Sequence, residues 1–66
     1  MDGMNEKNMS RFLAKDVAIG IPHYTENRPF YYYGTIIEMN TESLILEMSN
    51  GFKVIKYKDI IDIHEE

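Results

Sequence analysis

The stretch Phe30-Tyr31-Tyr32-Tyr33-Gly34-Thr35-Ile36-Ile37-Glu38-Met39 decides the fold. Apart from Gly34, Glu38 and Met39, every residue in it is aromatic or β-branched. Such side chains suit a pleated, half-buried surface. Gly34 sits in the middle, where a strand glycine marks a bulge or a sharp bend. The stretch therefore predicts one long, bent strand over 29–39. A strongly bent strand of this length is what a small barrel needs.

The same period of two extends outward. Val17, Ile19 and Ile21 alternate with Asp16, Ala18 and Gly20, which predicts a strand over 16–22. Pro22 ends it, because proline has no N–H to give to a ladder. His23 to Pro29 reads as a polar loop bounded by prolines. Downstream, Asn40-Thr41-Glu42 is a turn, and Leu44, Leu46 and Met48 share one face of a strand over 43–48. Ser49-Asn50-Gly51 is the strongest hairpin signal in the chain, since Asn-Gly accepts the positive φ of tight turns. Strands over 51–57 and 60–64 follow, joined at Lys58-Asp59. Upstream the period changes. Met9, Phe12 and Leu13 fall at helical spacing, with Asn5 as N-cap and Met4 against Met9 as a hydrophobic staple. This predicts a short helix over 5–14 after a frayed end at 1–4. The fold class is all-β: a small, five-stranded, strongly bent antiparallel barrel of the Src-homology-3 type with a short N-terminal helix. It occupies 5–66 as one domain.

Composition narrows the function. A chain of 66 residues buries only about 60% of its unfolded surface, and its core supplies about 3–5 kcal/mol. Small folds therefore usually carry a staple. There are no cysteines, so disulfides and thiolate metal sites are excluded. His23 and His64 have no ligand spacing, so neither a metal nor a cofactor is expected. By elimination the staple is oligomerisation. No apolar run approaches a membrane span, and the polar N-terminus lacks a hydrophobic signal region. A cytoplasmic protein is expected. The net charge of −4 argues against a coat that binds nucleic acid by bulk positive charge.

A helix followed by five strands, with a glycine in the second, resembles the Sm-like family. That family includes the Sm and LSm proteins and bacterial Hfq. The resemblance spans about 5–64. Gly34, Ile36, Met39 and Asn40 are similar to the first Sm motif, and Leu44-Ile45-Leu46 to the strand after it. Tyr57-Lys58-Asp59-Ile60-Ile61 is similar to the second motif in its Hfq-like form. Three departures stand out. Asp59 replaces a histidine or glycine, Leu44 replaces an asparagine that contacts RNA in many Sm proteins, and the 23–29 loop is longer than usual. The resemblance implies rings, often of six or seven subunits, that hold single-stranded RNA at the pore. It implies RNA contacts at Met39, Asn40, Tyr57 and Lys58.

Each of these residues also has a plainer reading. Asn40 can read a base edge through its donor and acceptor, or serve only as a turn residue. Lys53, Lys56 and Lys58 form a basic segment in which each lysine can act as a point charge on a phosphate, or can discourage edge-to-edge aggregation. Tyr32 shares a face with Phe30 and is expected in the core. Tyr31 and Tyr33 can stack bases or pack across strands. His23, Tyr24 and Arg28 lie in the long loop, either as a partner surface or as solvated side chains, and His64 lies in an exposed tail. No nucleophile–base signature, phosphate-cradling glycine loop or paired-carboxylate motif is present, so no enzyme is expected. Two functions follow: a ring-forming binder of single-stranded RNA, or a barrel-type protein-interaction or assembly module without RNA binding. Further copies of the chain are expected as partners in either case.

Overall fold

The computed structural model describes residues 6–22 and 27–66. The Asn5 cap, the Met4 staple, and His23 and Tyr24 of the polar loop lie outside the described residues. The chain runs through a single helical turn α1 (Glu6–Met9), a 3₁₀ turn (Ser10–Phe12), β1 (Asp16–Ile21), β2 (Phe30–Met39), β3 (Ser43–Met48), β4 (Gly51–Lys56), a second 3₁₀ turn (Tyr57–Asp59) and β5 (Asp62–Glu65). The five strands form one antiparallel sheet in the order β4-β3-β2-β1-β5. The mostly-β architecture with a short helix matches the expectation. The sheet is open, however: among the described residues no ladder joins β4 to β5, so both are edge strands. It nevertheless curls, because Ile21 at the end of β1 and residues of β4 line a common groove although β2 and β3 lie between them.

The core follows from the alternation. Val17, Ile19, Ile36, Leu44 and Leu46 are fully buried, and Ile55, Tyr57 and Ile60 join them. Met9 and Phe12 close one end of this cluster from the helical segment. That segment is shorter than the 5–14 expected. Ala14 adopts φ +66 and its N–H donates to the Ile36 carbonyl at 2.8 Å. The backbone that would have continued the helix is thus turned into β1 and bonded to β2. Leu13 is left exposed, while Met9 and Phe12 keep their helical spacing and their burial.

Two further corrections concern β2. Its bulge is not at Gly34. The ladder with β3 shifts between Ile36 and Glu38, leaving Ile37 without a partner. The extra residue turns Glu38 outward and brings Met39 opposite Leu44 against the core. Gly34 has a different role: a Cβ there would sit 2.3 Å from the Glu47 carbonyl oxygen. The backbone of β3 approaches too closely for any side chain. In addition, Phe30 is exposed rather than core, and Tyr32 packs against the core's margin with its ring edge-on to Phe30 at 5.0 Å. β5 begins at Asp62 rather than at 60, because the second 3₁₀ turn carries the chain past Ile60, which is buried.

Candidate nucleic-acid interface

Of the four residues singled out by sequence, Met39, Asn40 and Tyr57 come together at one corner of the sheet, whereas Lys58 follows Tyr57 in the chain and lines two grooves that neither Met39 nor Asn40 lines. The bulge in β2 buries half of Met39 and leaves Asn40 exposed at the start of the β2–β3 turn. The Asn40 N–H donates to the Ser43 carbonyl at 2.8 Å, which closes that turn. The Tyr57 N–H donates to the Glu42 carbonyl at 3.0 Å, and the Tyr57 hydroxyl donates to the Asn40 carbonyl at 2.6 Å. Two turns far apart in sequence are thereby fastened together. Lys58, next in the chain after Tyr57, is exposed.

Tyr57 itself is 3% exposed, so its ring is core and its hydroxyl is a strut. Burial raises its phenol above the ordinary value, Glu6 adds to this, and the Asn40 contact lowers it. The group therefore stays protonated as a donor at neutral pH. The exposed side chains on these two segments are the Asn40 amide and the Lys58 ammonium. An amide has the donor and acceptor to read a base edge and an ammonium can attract phosphate; the Tyr57 ring offers no free face for stacking.

Lys58 lies on the lip between two grooves. One, of about 760 Å³, runs between the helical segment and β5, with Met9, Phe12, Ile60 and Ile63 as apolar lining and Arg11 near one side. Arg11 stacks over Phe12 at 4.8 Å. The other, of about 370 Å³, runs between β4 and the end of β1 and gathers Lys53, Lys56 and Lys58. Among the described residues no ion pair involves these three lysines.

The outer face of β1, β2 and β5 is chemically different. The Tyr31 ring lies over Gly20 and its hydroxyl donates to Asp62 at 2.6 Å, reaching across β1 from β2 to β5. That bond, then desolvation and the Asp62 charge, raise the Tyr31 phenol. His64 is exposed yet lies between carboxylates, Nδ1 3.5 Å from Asp62 and Nε2 3.4 Å from Glu66. Tyr33 remains exposed beside Tyr31. Sequence reasoning missed the Tyr31–Asp62 brace, and its one available signal was small residues, Ala18 and Gly20, on the strand between. No protein-family model matches the chain, and no curated protein or solved structure matches it either.

Proposed function

We propose that this chain is an Sm-like subunit that binds single-stranded RNA without catalysis and assembles with further copies through its sheet edges. The observation that carries the reading is the pair of bonds from Tyr57 to the Asn40 turn. They fasten the turn that carries the exposed Asn40 amide to the segment that carries the exposed Lys58, whose ammonium has no ion-pair partner among the described residues. The resemblance of Gly34–Asn40 and Tyr57–Ile61 to the two Sm motifs points to the same corner. The amide supplies base preference and the lysine supplies phosphate attraction. Local contacts must provide the affinity, because the chain as a whole is acidic.

The test is fluorescence anisotropy with labelled uridine-rich and adenine-rich single strands at low salt. Lys58→Ala is expected to weaken both alike, since a phosphate contact carries no sequence information. Asn40→Ala is expected to change the ratio between the two. If neither strand binds below about 100 micromolar, the weak limit of non-specific association, the RNA reading is wrong. One feature favours a second reading, an interaction module without RNA. Phe52 and Val54 are 66% and 62% exposed on the edge strand β4, an apolar surface suited to a protein partner. Loss of RNA binding with intact assembly would favour it.

A further inference from the structure

We propose that the groove between β4 and the end of β1 is a second phosphate-binding segment, onto which a single strand continues from the Lys58 corner. The inference rests on the RNA reading and extends it from a point contact to a path. Lys53, Lys56 and Lys58 line this groove over an apolar floor that includes Ile21 and Ile55. They are three of the seven basic residues in a chain with eleven acids. They have no ion-pair partner among the described residues. Lys7 and Lys15 also lack an ion-pair partner among the described residues, so what sets these three apart is that one groove gathers them.

Lys53 is moreover held in place. Its Nζ lies 4.9 Å over the Tyr32 ring, and Tyr32 is itself packed against the core. A ring face attracts the ammonium without neutralising it, so a fixed positive charge remains for an anion. Three lysines share this one groove, more positive charge than a single small anion requires. A chain of phosphates matches that charge better. Asp59 lines the same groove and repels a polyanion locally, which leaves Lys53 and Lys56 to define the path beyond Lys58. Since lysine meets phosphate as a point charge, this segment should not distinguish RNA from single-stranded DNA.

The experiment compares strands of about 4 and about 12 nucleotides, lengths that bracket the reach of one small barrel. The variants are Lys53→Gln/Lys56→Gln and Lys53→Arg/Lys56→Arg. The glutamine pair should lose affinity for the longer strand, RNA and DNA alike. Its dependence on log salt should flatten by about 0.7 for each lysine removed. Binding of the short strand should stay unchanged, and the arginine pair should restore the longer one. Equal loss at both lengths, or no loss at all, overturns the proposal while leaving the corner reading intact. So does a change in the solution mass of the glutamine pair, which would assign these lysines to a contact between copies. Failure of the unmodified protein to bind either strand would instead remove the RNA reading itself.

Discussion

Two glycines on this sheet differ in what a methyl group would meet. At Gly34 the obstacle is the Glu47 carbonyl at 2.3 Å, main chain that cannot move without breaking the β2–β3 ladder. At Gly20 it is the tip of the Tyr31 ring at 2.9 Å, the far end of a side chain that can swing away. Gly34→Ala should therefore cost about 3 kcal/mol or more, the upper range for overpacking. Gly20→Ala should cost only about 1 kcal/mol, the value of the Tyr31–Asp62 hydrogen bond it displaces. Urea titrations of both variants check the order, and equal midpoints would contradict it. Gly34 was legible in the sequence as a special position, but the reason was not. A bulge and a close approach both select glycine, and only the tertiary register tells them apart.

At the level of elements, the strands were readable because period, turn residues and β-branched content agreed. β1 through β4 appear within a residue or so of the spans expected from sequence. Sequence alone extends the helix too far, because Met9, Phe12 and Leu13 satisfy a helical stripe, whereas the carbonyl of Ile36 decides where the backbone turns. Tyr57 was legible as part of the site but not as a buried strut, since a tyrosine's apolar body and polar tip fit either role. Gly34 signals a bulge or a sharp bend three residues before the bulge itself, because Ile37 carries no composition signal. Its status as a spare residue can be tested by deletion. Removing Ile37 leaves Glu38 opposite Ile45 and Met39 opposite Leu44, so the variant should fold with a straighter β2 and a loosened Asn40 corner. Removing Ile45 instead moves one side of β3 to the wrong face and should abolish folding. Circular dichroism distinguishes the two, and complete unfolding of both would show that the bulge is indispensable.

For the whole molecule the open edges matter most. In the β3–β4 ladder the Glu42–Tyr57 bond sets the alternation, so Leu44–Ile55 and Leu46–Lys53 are the bonded pairs and Val54 directs its N–H away from β3. Val54→Pro should therefore leave the subunit fold in place and remove one donor from the free edge. If copies assemble through β4, light scattering should show the unmodified protein as an oligomer at micromolar concentration and the proline variant as a monomer. A monomeric unmodified protein would refute assembly by this route. The strand order has another consequence. β2, β3 and β4 pair with their sequence neighbours, but β5 pairs with β1 across nearly the whole chain. Closing so long a loop is slow, so the last ladder should form after the central meander and limit the rate of folding. During synthesis the outer side of β1 cannot be covered until Glu65 has emerged from the ribosome. Until then the newborn chain presents Val17–Gly20 as a bare edge, the surface that a chaperone would have to shield.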